Sequence, residues 1–455
     1  MESFYKDCDM IVSNNRAYFR LTNADYTNYT QKLINKVAIE QSILPKLFAK
    51  REINEEFEEN LDRLRRISQT DAENLEAFCV MPEFVDLLTW LISLNGTEHT
   101  DLSVLATIIM TNALFVYNEP IKFRSETLIE HIFFVLQKDS NDYKEYVTNL
   151  ILNYLSAETY KELIDQNIIE ILLQFFNINL SSNSIIHSRG LSYLIFNSLF
   201  QLMNEDQHHL LFPTFNFIPS DFLSRYVYIR LNSTRYLNVI IRNEKIFNFL
   251  VQDPSFFKYV AYSGNGFGIM TQTTCDIVCD IYIYFIQKGY TCFEGCFKPA
   301  IDAQYSFNIV RFDRILEFLY YAVPYNLSEF EEHKLYDFAL KKFNNGNVAE
   351  KQAASKVLVQ YMCLHSQEID LQIGETFLPK LAEILEDIHI ESLYDILKLL
   401  LTIFERGEKF IQLGINSNIP ESVLELTNNI EIDDKISEIC NRILQIFNID
   451  TSVTF

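Results

Sequence analysis

One polar position recurs inside otherwise apolar helical segments, at Asn112, Asn153, Asn197, Asn238, Asp280, Glu317 and Gln360, is replaced at Leu401, and returns at Asn441. The intervals are 41, 44, 41, 42, 37, 43, 41 and 40 residues. Two places after each stands an apolar residue: Leu114, Leu155, Leu199, Ile240, Tyr282, Leu319, Met362, Ile403 and Ile443. A repeat of this length is one helical unit that buries its apolar face only against the next copy, so the chain is expected to stack as a solenoid.

A solenoid extends without adding domains, so the 455 residues do not set a domain count by the usual prior of roughly 150 residues per domain. Hydrophobic residues make up 48% and charged ones 22%, enough apolar side chains for a full core and too many for a disordered chain. Only 11 glycines and 10 prolines favour long helices over a turn-rich β fold. The net charge of −23 argues against nucleic acid, whose phosphates must be met by Lys and Arg, and against an anionic membrane surface. It leaves a protein or peptide partner, including one with basic segments, as the expected class.

No basic stretch followed by an apolar one opens the sequence, no apolar run nears the ~18 residues of a membrane span, and the final TSVTF carries no cysteine for prenylation. The eight cysteines are scattered through apolar segments, which reads as reduced, buried thiols and hence a cytoplasmic location, with the nucleus as the other candidate. The glycosylation tripeptides at Asn28, Asn95, Asn179, Asn232 and Asn326 then arise from the abundance of asparagine.

Residues 1–24 lack periodicity and read as a poorly ordered lead-in. Residues 25–78 read as an N-terminal helical cap, with Pro45 near a helix start and a buried stripe of Phe57, Leu61, Leu64 and Ile67. Over 79–447 a short apolar helix is followed by a longer one: MPEFVDLLTWLI with LSVLATIIMTNALFVY, LIEHIFFVLQ with YVTNLILNYL, and IIEILLQFFN with SRGLSYLIFNSLFQL. The stretch 205–330 is irregular. There a helix is expected from about Arg225 to Arg242, another over PSFFKYVAY from Pro254, then MTQTTCDIVCDIYIYFIQ and FNIVRFDRILEFLYYAV. The pairing returns with KLYDFALKKF and AASKVLVQYMCL, FLPKLAEILE and LYDILKLLLTIF, and NIPESVLELT and KISEICNRILQIF, preceded by links LQIGE and IQLGI that place Gly374 and Gly414 in register. Residues 448–455 read as a frayed tail.

FLPKLAEILE and NIPESVLELT resemble the second helix of the armadillo family, an apolar residue and proline before an aliphatic stripe. TNALF, LNYLS and FNSLF, around Asn112, Asn153 and Asn197, are similar to that family's third-helix ending, and the resemblance spans roughly 81–447. It implies an all-α, right-handed α-solenoid of about nine to ten armadillo-like repeats, with third helices lining a concave groove. HEAT-repeat scaffolds share the period. The resemblance also implies that the asparagines clamp the backbone of an extended peptide, since an amide offers both donors and an acceptor. Carriers of nuclear localisation signals in that family pair the asparagine with tryptophan one turn away. The single Trp90 lies on a second helix, which argues against an importin-α-like carrier.

Asn112, Asn153, Asn197 and Asn238 are therefore the candidate protein-binding residues, the other reading being half-buried amides that bond between neighbouring turns. Arg235 and Arg242 share a helix face with Asn238, as Arg189 and Tyr193 do with Asn197, and these could hold a carboxylate or phosphate. The alternative is that the arginines pair with acids of adjacent repeats. Cys275 and Cys279, with Cys292 and Cys296, have a spacing that four thiolates on zinc could use, but long apolar helices make core thiols the expectation. SGNGFG from Ser263 lacks the Lys of a phosphate loop and reads as a loop; His208 and His209 diverge on a helix; Asp433 and Asp434 read as a helix start. From Ser366 to the end, 17 acids face 6 bases, a solvated surface or a flank that steers a basic partner. No catalytic motif, cofactor, metal or small-molecule substrate is indicated. The expected role is a non-enzymatic scaffold binding protein along the concave face, the alternative being a structural subunit contacting partners through convex ridges or ends.

Overall fold

The computed structural model describes residues 47, 52–70, 72–79, 81–94, 96–117, 123, 126–137, 144–178, 183–222, 224–252, 271–290, 297, 300–301, 309–364, 367–427 and 433–449. Every regular element among them is helical. They fall into two compact units, Met1–Leu250 and Val251–Phe455. The boundary lies inside the stretch expected to be irregular. The lead-in, most of the expected cap before residue 52, the segment from Pro254 and SGNGFG lie outside the described residues, as does the tail beyond 449.

The first unit runs α1 (Glu55–Thr70), α2 (Ala72–Cys79), α3 (Pro82–Ser93), α4 (Thr100–Tyr117), α5 (Glu126–Gln137), α6 (Lys144–Tyr154), α7 (Tyr160–Asp165), α8 (Ile168–Leu173), α9 (Asn183–Leu202), α10 (Phe212–Phe215), α11 (Ile218–Phe222), α12 (Val227–Ile240) and α13 (Glu244–Leu250). The longer helices α1, α4, α6, α9 and α12 pack side by side in chain order, with α3, α5, α8 and α11 lying against α4, α6, α9 and α12. Phe57, Leu61, Leu64 and Ile67 of α1 are buried, as their spacing predicts, and Trp90 of α3 meets Phe57 edge to face at 6.1 Å. Because α4 packs on α1, α3 and α6, it has apolar residues nearly all round. It is 18 residues long and apolar enough by composition to cross a bilayer, which corrects the expectation that nothing nears that length. Its buried Ser103, Thr107 and Thr111 hydroxyls donate to backbone carbonyls of Ile92, Ser103 and Thr107, and the helix is packed as a core element.

The second unit runs α14 (Gln272–Gln287), α15 (Asp313–Ala322), α16 (Leu327–Glu332), α17 (Leu335–Asn345), α18 (Val348–Leu364), α19 (Gln367–Ile384), α20 (Ile390–Phe404), α21 (Glu408–Asn416), α22 (Ile419–Thr427) and α23 (Asp434–Ile446). Here α14, α15, α18, α20 and α23 form the row, and α17 and α22 pack on α18 and α23. Two sequence expectations change. The links LQIGE and IQLGI are helical, within α19 and α21, and α19 continues through Pro379 rather than restarting at Phe377. A Cβ at Gly414 would lie 2.7 Å from the Phe447 ring, so this glycine marks a close helix approach rather than a turn. The helix expected from Phe307 begins instead at Asp313, and residues 309–312 are non-helical.

A second recurrent position sets the corners between first and second helices. Asn167, Lys334 and Asn418 all take left-handed backbone angles (φ 57°, 51° and 58°), and each donates its N–H to the carbonyl three residues back. Asparagine tolerates this region better than most residues, and two of the three corners use it.

Candidate functional site

The register of polar residues lies along the long-helix row of the first unit. Asn112 is only 2% exposed, and its Nδ2 donates to Ser68 Oγ on α1 at 3.0 Å. Asn153 is half-buried and its Nδ2 donates to the Thr111 carbonyl on α4 at 3.3 Å. Both amides thus reach back to the preceding helix of the row. Asn197 is half-buried too, and its Oδ1, like that of Asn112, is buried without a hydrogen-bond partner. Asn238 Oδ1 accepts from Nη2 of the exposed Arg242 at 3.0 Å. Arg235, one turn earlier, is half-buried; burial pulls its pKa down and neighbouring Tyr228 opposes that pull.

Arg189 and Tyr193 need correcting. Arg189 is 7% exposed, donates Nε and Nη2 to the two carboxylate oxygens of Asp221 at 2.9 and 2.5 Å, and donates Nη1 to the Phe176 carbonyl at 3.2 Å. Its guanidinium lies over the Phe176 ring at 4.7 Å. Tyr193 is fully buried and donates its hydroxyl to Asp221 at 2.7 Å. Burial pushes both Asp221 and Tyr193 upward, with the Arg189 and Tyr193 bonds holding the carboxyl back. The group is an interior tie from α9 to α11, and neither side chain presents a surface to a partner. Its key member, Asp221, escaped sequence reading because it lies 32 residues from Arg189, beyond any helical spacing.

At the start of the second unit, at Asp280 and Glu317, the register becomes ionic. Arg314 joins Asp280 of α14, at 3.2 Å, to Glu317 of its own helix α15. Lys356 of α18 pairs with Asp395 of α20 at 2.9 Å and lies 4.5 Å from the Tyr320 ring centroid. Gln360 and Asn441 are half-buried, and Leu401 is buried. Cys275 and Cys279 are fully buried; the hydrogen bond from Cys275 and burial push the Cys279 thiol well up, away from the thiolate a metal needs. Cys292 and Cys296 lie outside the described residues. His208 is buried, stacks on Phe200 at 4.2 Å and lies 3.0 Å by Nε2 from that residue's carbonyl, while His209 is exposed. Asp433 caps α23 by accepting the Ile436 N–H at 2.9 Å. Asn232, in a glycosylation tripeptide, is 2% exposed and out of reach of glycosylation.

No protein-family model matches this chain, and neither does any curated protein. Solved structures do. An engineered protein from the Northeast Structural Genomics Consortium is similar over 90% of this chain and 98% of its own, at 12% identity and a TM-score of 0.63. A chain from a structure concerned with the phosphorylation switch in the cadherin and beta-catenin interaction is similar over 94% of this chain and 99% of its own, at 12% identity and a TM-score of 0.51. The fold is an all-α, armadillo-like solenoid.

Proposed function

We propose that this protein is a non-enzymatic interaction scaffold that takes an extended segment of a partner protein along the long-helix row of its first unit. The observation that carries this reading is the half-burial, in register on α6, α9 and α12, of Asn153, Asn197 and Asn238. Half-buried amides can meet the N–H and C=O groups of an extended backbone whatever its side chains. Asn112 belongs to the same register but is 2% exposed as well as bonded to Ser68, so it positions the row rather than touching a ligand. Arg242, exposed just past the end of α12 and steadied by Asn238, supplies an anion anchor at one end, with Arg235 on α12 itself. The solved structure concerned with cadherin and beta-catenin lends the same fold a protein-binding use. A cytoplasmic or nuclear location and a partner that also carries basic segments complete the proposal.

Cross-linking mass spectrometry on native cells would name the partner. An Asn153→Ala/Asn197→Ala variant, with its helicity checked by circular dichroism, is then expected to bind that partner at least ten-fold more weakly. Unchanged affinity with an intact fold would remove the row as the binding face. A second reading, a structural subunit held by other surfaces, draws on Phe249, 46% exposed and stacked on Phe212 at 4.7 Å. Co-sedimentation in a fixed ratio that survives the asparagine substitutions would favour it.

A further inference from the structure

The second unit carries an exposed aliphatic row that the proposed function does not use. Val348 and Ile390 are the first residues of α18 and α20, and Val310 lies just before α15; they are 67%, 46% and 73% exposed. The three ends lie side by side. The Phe312 N–H donates to Glu350 of α18 at 2.9 Å, and Gln352 of α18 donates to the Asp387 carbonyl, just ahead of α20, at 3.2 Å. Local physics gives no reason for these residues. Helix starts favour polar or acidic side chains, and β-branched residues are poor helix formers. The corresponding first residues in the first unit are Glu55, Thr100, Lys144, Asn183 and Val227, of which only the last is apolar, and it is half-buried. Around Ile390 the exposed rim is acidic, with Glu386, Asp387 and Glu391.

We propose that this row docks a basic amphipathic helix of another protein, with one aliphatic anchor per repeat. The backbone beside Val310 is already engaged. Gln272 Oε1 accepts the Val310 and Arg311 N–H groups at 3.1 and 3.0 Å, its Nε2 donates to the Arg311 carbonyl at 2.9 Å, and Glu350 takes the Phe312 N–H. An added β-strand would find few groups left to pair with, whereas a helix satisfies its own backbone and needs none. Packed helices lie about 8–10 Å apart. Seven residues of helix rise about 10.5 Å, so apolar residues at every seventh position would meet successive anchors. Lys and Arg between them would face the acidic rim.

The test uses the full chain and a fluorescein-labelled Ala/Lys peptide of about 18 residues with Leu at every seventh position. Anisotropy should show saturable binding, at least ten-fold weaker for Val310→Ser/Val348→Ser/Ile390→Ser, with an unchanged melting curve because all three side chains are exposed. Glu386→Lys/Asp387→Lys/Glu391→Lys, which leaves the row intact, should also weaken binding and reduce its salt dependence. A peptide with Glu in place of Lys should fail to bind. Absence of saturable binding to the natural chain, equal binding by the serine variant, or equal binding of the Glu peptide would each overturn the proposal. So would sedimentation showing self-association that the serine variant loses, which would assign the row to a second copy of the chain.

Discussion

Single side chains here divide by whether a partner lies within reach of their own helix. Arg189, Tyr193 and Asp221 form a charge-assisted interior group in which three donors converge on one carboxylate. Asp221→Ala would strand the buried Arg189 guanidinium, and a loss of about 3–5 kcal/mol in urea unfolding is expected. An unchanged unfolding midpoint would show that Arg189 reaches water or another acid instead. Lys334 poses the opposite case. Its left-handed backbone (φ 51°) carries a steric cost that Asn167 and Asn418 soften at the equivalent corners, so Lys334→Asn should raise stability by roughly 1 kcal/mol. Asparagine at the corner was visible in the sequence. Its meaning was not, because φ is decided by the angle between two helices rather than by the residue.

At the scale of elements, the starts of the long helices do more than end a helix. Asn347 and Glu350 form a capping box on α18, the Glu350 N–H donating to Asn347 Oδ1 at 3.0 Å and the Asn347 N–H donating to Glu350 Oε2 at 3.1 Å. Glu350 also accepts the Phe312 N–H of the neighbouring repeat and pairs with Lys342 at 3.5 Å, so one side chain caps its helix and ties it to α15. Glu350→Ala is expected to cost about 3 kcal/mol, more than the ~1 kcal/mol of a simple cap, because it also orphans a buried N–H. A double variant with Asn347→Ala should then add little, since the pair acts as a unit; full additivity in thermal melts would contradict that. The helices themselves were legible from apolar spacing, including α4, α14 and α20 nearly to their ends and α9 from Ser188 onward. The starts of α15 and α19 were not. Gln272 and Glu350 hold 309–312 off the helical path, and α19 runs on through Pro379.

For the whole molecule the net charge of −23 is the dominant long-range term. Exposed pairs such as Arg442 with Glu405 and Lys245 with Glu205 contribute little, whereas self-repulsion acts over the whole surface. The melting temperature should therefore rise when NaCl goes from about 20 to about 300 mM, as the screening length shortens. A fall would mean that the ion pairs outweigh the repulsion. The sequence alone determined that the chain is an all-helical stack with a period near 41, because every repeat must bury the same apolar face and the pattern is written afresh each time. Only the tertiary structure decided what the polar register does. An amide on one long helix is read by the preceding helix, some 40 residues away, as Ser68 claims Asn112 and Thr111 claims Asn153, whereas the Asp280 carboxylate is claimed by Arg314 of the following helix. Spacing along one chain specifies which residues share a face; how much of that face the next repeat covers depends on packing, and that coverage separates a structural asparagine from one that can still meet a partner.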